Sequence, residues 1–398
     1  MAKKIILVTT GQPSLNPRLV KEADALSEAG YDVTVFYAYW NEWGTEYDKR
    51  LIANSKWKAI RVGGSPQHYL STYFISRLIH KAAQAINISA FAAIGLSRAS
   101  YALIREVKKH KVDLYIAHNL GALPAAAIAA KKHKKPFGFD AEDFHRNEVS
   151  NDENNADVVR RSIVENKYLP QLAYLTASSP QIATKYSTLF PGLRPVVLLN
   201  VFKKSNVTVT EAHNPLKLFW FSQTIGAGRG IEDVVKALST LKKDDFELYL
   251  LGDRPEFSKA FINDLKAANI NILFHNPIAP DEVRPFAAQF DIGLALENNT
   301  PLNRDLCLTN KIFTYMQAGL AVIASETTAQ SEFMQQNPGM GRSYPNGNAK
   351  ALAEIFSDYQ QHSEKIMACK EVSLKLANEH YNWETESRKF LTLVENTL

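Results

Sequence analysis

In the stretch FSQTIGAGRGIEDVVKAL, residues 221–238, Gly226, Gly228 and Gly230 surround Arg229 just ahead of a helix that starts with two acidic residues. Glycines expose backbone N–H groups, a helix start is electropositive, and a guanidinium is a flat fork of donors; together they suit a pyrophosphate. A flexible turn would account for the glycines but has no use for the guanidinium. A second cation lies in NRDLCLTNKIFTYMQAGLAVIAS, where Lys311 falls in the first turn of a helix whose apolar face is Ile312, Phe313 and Met316 and whose stop is Gly319. A lysine there opposes the helix dipole and is useful if an anion shares that end; a surface lysine is the other reading. A third loop, TTGQPSLNPRLVKEA, has Gly11 for a tight turn and close approach, Asn16 as a cap and Pro17 at the first helical position. Gly11 and Gln12 are the residues there that would face a ligand. The spacing after Gly11 is not that of a dinucleotide fingerprint.

These loops need strands and helices to hold them. The run KKIILVTT ends at Gly11, a helix closes over 23–30 with Gly30 as its stop, and a strand follows at 33–37. Further strands are expected at 114–117, 137–140 and 174–177, with a helix over 121–132. The same alternation restarts with strands at 216–221, 247–251, 272–274, 292–296 and 321–324 and helices at 230–241, 281–289 and 310–318. Alternation of this kind predicts parallel sheets wrapped by helices, an α/β fold of two doubly wound domains. The stretch 201–215, with its Lys-Lys-Ser-Asn cluster, reads as the linker. The expected domains are 1–200, 214–375, and a helix over 376–398 returning toward the first domain. In such sheets ligands lie beyond the carboxyl ends of the strands, so the two domains are expected to face a common cleft.

With 398 residues, 45% hydrophobic and 22% charged, the composition is that of a globular enzyme of two domains. No apolar run approaches the ~20 residues that cross a bilayer, and the MAKK start followed by IILV reads as a first strand, not a signal peptide. Cys307 and Cys369 alone predict neither a disulfide framework nor a structural zinc site, so a reducing cytoplasm is expected. The net charge of +5 is uneven: residues 1–199 hold 26 Lys and Arg against 17 Asp and Glu, residues 200–398 hold 20 against 24. Between Asp48 and Glu106 there is no acidic residue, while Lys49, Arg50, Lys56, Lys58, Arg61, Arg77, Lys81, Arg98 and Arg105 fall there. Either this is a solvated basic surface or something anionic lies against it. The segment YLSTYFISRLIHKAAQAINISAFAAIGLSRASY within it has the composition of an interfacial helix on an anionic membrane, or of outer helices packed on the domain. No basic-aromatic motif of a nucleic-acid binder accompanies the charge.

Taken in order, Asn16-Pro17-Arg18-Leu19, Arg229-Gly230-Ile231-Glu232-Asp233 and Asn310-Lys311-Ile312-Phe313-Thr314-Tyr315-Met316-Gln317-Ala318-Gly319 resemble the family-4 class of retaining GT-B glycosyltransferases. The likeness runs nearly end to end, through VDLYIAHN, ENKYLPQLAYLTASSPQIATKY, LYLLGD, FDIGLALE and HYNWETES. It implies a nucleotide-sugar donor on the second domain, with Arg229 and Lys311 on the diphosphate. The donor set it implies is Gly11, Gln12, Gln223, Arg229, Glu297, Asn310, Lys311 and Thr314. His118 and Asp143 are the implied catalytic residues, with Glu142 and Gln12 toward the acceptor or the sugar; a structural histidine is the other reading of His118. No metal and no cofactor beyond the donor are implied, since cations and helix ends would stabilise the leaving diphosphate.

Two departures from the pattern bear on activity. The family usually carries two glutamates separated by seven residues, and this chain has Leu306 and Thr314 there. Its Asp-x-His-Glu element appears as Asp140-Ala141-Glu142-Asp143, with His145 the nearby imidazole. The leading expectation is a metal-independent transferase, cytoplasmic and peripheral at the inner membrane face, moving a sugar to a glycan or lipid-linked acceptor in cell-surface polysaccharide or glycoconjugate synthesis. The alternatives are a catalytically silent GT-B protein that binds a nucleotide-sugar or partners an active transferase, and a nucleotide-sugar 2-epimerase.

Overall fold

The computed structural model describes residues 2–86 and 89–398. The chain divides into two compact units, one of Met1–Leu199, Pro301–Asn303 and Ser387–Leu398, the other of Asn200–Thr300 and Arg304–Glu386.

In the first unit seven parallel strands, β1 (Lys4–Thr9), β2 (Asp32–Ala38), β3 (Lys58–Val62), β4 (Leu114–His118), β5 (Phe137–Ala141), β6 (Tyr174–Ala177) and β7 (Val196–Val197), form one sheet in the order β3-β2-β1-β4-β5-β6-β7. All but the first residue of β1 is buried, as expected of a strand covered on both faces. The helix Pro17–Glu28 starts where Asn16 accepts from the Leu19 N–H at 3.0 Å and ends before Gly30, whose φ of 90° only glycine adopts readily. Leu19, Ala23 and Leu26 on its inner face join Ile5, Leu7, Val33 and Trp57 in the core.

The second unit repeats the plan with β8 (Leu216–Thr224), β9 (Phe246–Asp253), β10 (Ile272–His275), β11 (Ile292–Ala295), β12 (Ala321–Ser325) and β13 (Gly341–Tyr344), ordered β10-β9-β8-β11-β12-β13 and all parallel. In both sheets the strand order reverses at one place, beside β1 and β4 in the first and beside β8 and β11 in the second. That reversal opens a crevice beyond the carboxyl ends of the strands.

The stretch 201–215, expected as a linker, packs on the second unit. Val201 is buried, the His213 backbone N–H and ring both meet the Asp291 carboxylate, and Lys370 reaches Thr210 and Asp291 at 3.3 Å. The buried Asp291 charge needs those cationic and N–H partners, which fixes the segment in place. The expected helix over 376–398 is two helices, Ser363–Glu379 and Trp383–Thr397. Asn382 divides them: its Nδ2 donates to the carbonyls of Ala377 and Asn378, and its Oδ1 accepts from the Thr385 N–H at 3.0 Å. One amide thus closes one helix and caps the next. From the second helix Phe390 and Val394 insert into the first unit's core, and fully burying such side chains stabilises by about 1.5–3 kcal/mol each. The helix 281–289 is shorter than expected, Val283–Ala287.

Candidate functional site

Across the carboxyl ends of the first sheet, Thr9, His118, Asp140 and Thr176 stand in register on β1, β4, β5 and β6. Arg18, from the helix after β1, reaches under them. Its Nε and Nη2 donate to the two Asp140 oxygens at 2.5 and 2.6 Å, and Nη1 donates to the Leu198 carbonyl at 2.5 Å. Thr176 Oγ1 donates to Asp140 at 2.5 Å. Burial opposes the Asp140 charge, yet Arg18 and His118 outweigh it and hold the carboxyl well below its usual range. His118 is itself fully buried: Nε2 is 3.1 Å from Glu22, and Nδ1 is 3.4 Å from Asp140 and 3.6 Å from Glu142. Burial would favour a neutral ring, but Glu22, with Asp140 and Glu142, raises the imidazole well above its ordinary value. Burial and the Arg18 charge push Lys21 down to about 7.

His118, expected to touch the sugar, has no surface to offer. The member of this cluster that reaches solvent among those three carboxylates is Glu142, whose side chain is 28% exposed against 1% for Glu22 and for Asp140. His118 is therefore enclosed behind Glu142, and the surrounding carboxylates favour its charged form. Of Arg18 and Glu22, expected only as part of a helix start, Glu22 is the charge that most favours a protonated His118, while Arg18 pairs with Asp140. Their signal was available: they sit one helical turn apart on the face that also carries Leu19, Ala23 and Leu26, where charges are placed only with partners.

Gln12 is a correction. Its Nε2 donates to Thr45 and Asp48 at 3.0 Å, its Oε1 accepts the N–H groups of Trp40 and Asn41 at 2.9 and 2.8 Å, and it is fully buried. Two donors and two accepted bonds fill the amide, so none is left for a sugar. Gly11 beside it is open, and a Cβ there would meet nothing within 4 Å. Asp143 accepts from Asn303 Nδ2 at 2.8 Å, while Asn303 Oδ1 accepts the Phe144 N–H at 2.6 Å. Burial and nearby Glu148 raise the Asp143 carboxyl.

Among the described residues two groups have the spacing to hold a metal ion, Glu22–His118–Asp140 and Asp143–His145–Glu148, where the sequence reading named none. Each already contains a guanidinium: Arg18 on Asp140, and Arg161 Nη1 on Glu148 at 2.5 Å. A fixed cation at the carboxylate disfavours a second one.

In the second unit β8 leads into the glycine loop. Gly228 and Gly230 have φ of 75° and 81°, and a Cβ on Gly230 would strike Leu296 at 2.9 Å. Gly230 precedes the helix Ile231–Leu238. Arg229 Nη1 donates to Ser222 Oγ at 2.7 Å, which turns the guanidinium back along the end of β8; Gln223, the next residue of that strand, is exposed. The Gly228 N–H is already taken by Glu232 at 2.6 Å, and its carbonyl accepts from Asn298 and Arg304 at 2.7 and 3.0 Å. Arg304 is a further cation at this loop that sequence reasoning did not single out.

Lys311 is buried, which removes the surface-lysine reading. It lies in the helix Asn310–Gln317, capped by Thr309, and its Nζ donates to Glu297 Oε1 at 2.9 Å. The Glu297 backbone is pinned in turn, its N–H donating to Ser325 Oγ at 2.7 Å and its carbonyl accepting from Ser325 and Asn346. Because Asn298 follows Glu297 and Gly228 precedes Arg229, the bond between Asn298 and Gly228 joins the Lys311 and Arg229 segments into one site. Asn310 is exposed at the helix start. Thr314 does not join this site through its hydroxyl: Oγ1 donates to the Asn310 carbonyl at 3.2 Å and the residue is buried. Leu306 is likewise buried.

Two doubly wound units of this order, each a parallel sheet with one reversal of strand order, define the GT-B fold. The Glycosyl transferases group 1 family model matches residues 217–361, within the second unit, and the chain as a whole has the GT-B fold. The chain is similar in fold to HepE of Anabaena in complex with UDP and glucose, with 14% identity, a TM-score of 0.71, and 99% of this chain and 100% of that one covered. It is similar also to sucrose-phosphate synthase from Thermosynechococcus elongatus, at 13% identity, TM-score 0.71, and 99% and 98% coverage. A third is TarM of S. aureus in complex with Fondaparinux, alpha-GlcNAc-glycerol and UDP, at 11% identity, TM-score 0.70, and 98% and 99% coverage. No curated protein matches the sequence.

Proposed function

We propose that the protein moves a sugar from a nucleotide-sugar donor to a glycan or lipid-linked acceptor, with retention of configuration, in cell-surface polysaccharide or glycoconjugate synthesis at the inner face of the membrane. The observation that carries this is the Asn298–Gly228 bond, which brings the helix start bearing Lys311 and the glycine loop bearing Arg229 into one anion-binding arrangement. Two cations and two helix starts supply what a departing nucleoside diphosphate needs as its charge develops. On this reading no metal and no further cofactor take part. Neither candidate metal group among the described residues belongs to the second unit. UDP-sugars are the first donors to try, since both HepE and TarM hold UDP. In the first unit Glu142 is the carboxylate offered to the sugar or the acceptor, backed by the His118 imidazolium.

A second reading has its own observation. With Leu306 and Thr314 buried and the Thr314 hydroxyl turned onto Asn310, the two usual glutamates have no stand-in at their own positions. A silent nucleotide-sugar binder fits that as well. Release of nucleoside diphosphate from a UDP-, GDP-, ADP- or dTDP-sugar, followed in EDTA with a glycan or lipid-linked acceptor present, separates the readings. Release that needs added Mg²⁺ or Mn²⁺ refutes the metal-independent mechanism, and binding without release favours the silent protein. The anomeric proton coupling of the product tests retention.

A further inference from the structure

The helix Leu70–Ile86 in the first unit has its polarity inverted. The residues it buries are Ser76 and Ala83, and polar bonds tie this side down: Arg98 donates to Ser76 Oγ at 3.0 Å, Gln84 to the Gly95 carbonyl at 3.3 Å, and the His80 ring meets the Ile94 carbonyl at 3.2 Å. Phe74 is 57% exposed and Leu78 69%, with Leu70, Ile75 and Ile86 at about half or more. Residues 70, 74, 78 and 85 share one stripe of a helix, and that stripe lies opposite Ser76 and Ala83. The apolar residues of this stripe therefore do not pack on the domain, whereas Ala83, Ala92 and Ala99 of the same segment are buried, so the packing expectation holds for part of it. Residues 87 and 88 of the segment lie outside the described residues.

We propose that this helix is a docking surface for an anionic lipid bilayer. Charge complementarity selects the occupant. Arg77 and Lys81 are exposed and lie along one edge of the stripe, and the sequence has no acidic residue from Lys49 to Arg105. An apolar stripe edged by cations and free of carboxylates is what an interfacial helix presents to acidic headgroups and the acyl boundary beneath them. Among the described residues no helix is long and apolar enough to cross a membrane, so contact would be from one side. The proposal deepens the functional reading by assigning where a lipid-linked acceptor is met, and it rests on that reading for its purpose.

Vesicle co-sedimentation of the full chain tests it, using phosphatidylcholine with and without 30% phosphatidylglycerol. The bound fraction should rise with the anionic lipid and fall with salt. Leu78→Glu should abolish it, and Arg77→Glu with Lys81→Glu should weaken it on the order of tenfold or more. Circular dichroism and donor binding in lipid-free buffer should be those of the wild type in both variants, so a failure of the donor reading shows separately. Protein remaining in the supernatant with anionic vesicles at low salt overturns the proposal. So does a concentration-dependent self-association that Leu78→Glu abolishes while vesicle binding is absent, which would make the stripe a contact between copies of this chain.

Discussion

Lys311 Nζ lies 2.9 Å from Glu297 Oε1, so the cation proposed for the donor diphosphate is held by a carboxylate. Replacing Lys311 by Ala should weaken donor binding by about 1.5–3 kcal/mol, roughly tenfold to 150-fold, because charge-assisted bonds are lost. It also leaves Glu297 without its cation near the anion. Lys311→Ala combined with Glu297→Gln should therefore bind more tightly than Lys311→Ala alone. Calorimetry on the four proteins completes the cycle, and wild-type affinity in Lys311→Ala removes the lysine from the site.

Arg229 is expected to matter through geometry as well as charge. Arg229→Ala should cost as much donor affinity as the lysine variant, and Arg229→Lys should recover only part of it, since an ammonium cannot reproduce the planar fork. Arg304 acts one step away, by holding the Gly228 carbonyl, and Asn298 shares that task. Arg304→Ala should weaken binding by less than about tenfold. Equal losses at 229 and 304 would place Arg304 on the donor.

Gln12 is expected to report on stability. Gln12→Ala leaves the Trp40 and Asn41 N–H groups and the Asp48 carboxylate short of a partner, and should lower unfolding free energy by about 1–3 kcal/mol. The folded fraction should bind donor as before. A normal denaturation midpoint with weakened donor binding would return Gln12 to the site.

The His118 cluster predicts a pH dependence with a definite sign. The imidazole is raised above its ordinary 6.5 in the folded protein, so its stabilising contribution is complete below that value and is lost as pH rises through the folded one. The difference in melting temperature between wild type and His118→Gln should be largest at acidic pH and shrink above about 6.5. Lys21, pushed down to about 7, titrates in the same window with the opposite effect on stability. Taking the difference between the two proteins largely removes that contribution. A gap that widens with pH contradicts a charged His118.

Much of the fold was legible because central parallel strands are apolar runs closed by glycine. Tyr174–Ala177 was expected with the bounds it has, and the other central strands within a few residues. The strands not foreseen, β3, β7 and β13, are all sheet edges. KAIRV and GRSY carry charges that an edge strand tolerates on its open side, and β7 has only two residues. The units divide at Leu199/Asn200, where the expected linker begins, but the packing of 201–215 within the second unit was not legible because its apolar contacts are single residues without period. At the candidate site, glycine spacing and helix starts are the features that single out Arg229 and Lys311 in the sequence. The roles of Gln12, Thr314 and His118 depend on which way a side chain turns, and spacing carries no such information.

Calorimetric titration of the full chain with UDP-, GDP-, ADP- and dTDP-sugars in EDTA tests the nucleotide-sugar reading most directly. One of the four should bind saturably, and the double variant Arg229→Ala with Lys311→Ala should bind none. Equal binding by wild type and double variant, or no binding of any donor at millimolar concentration, would contradict it.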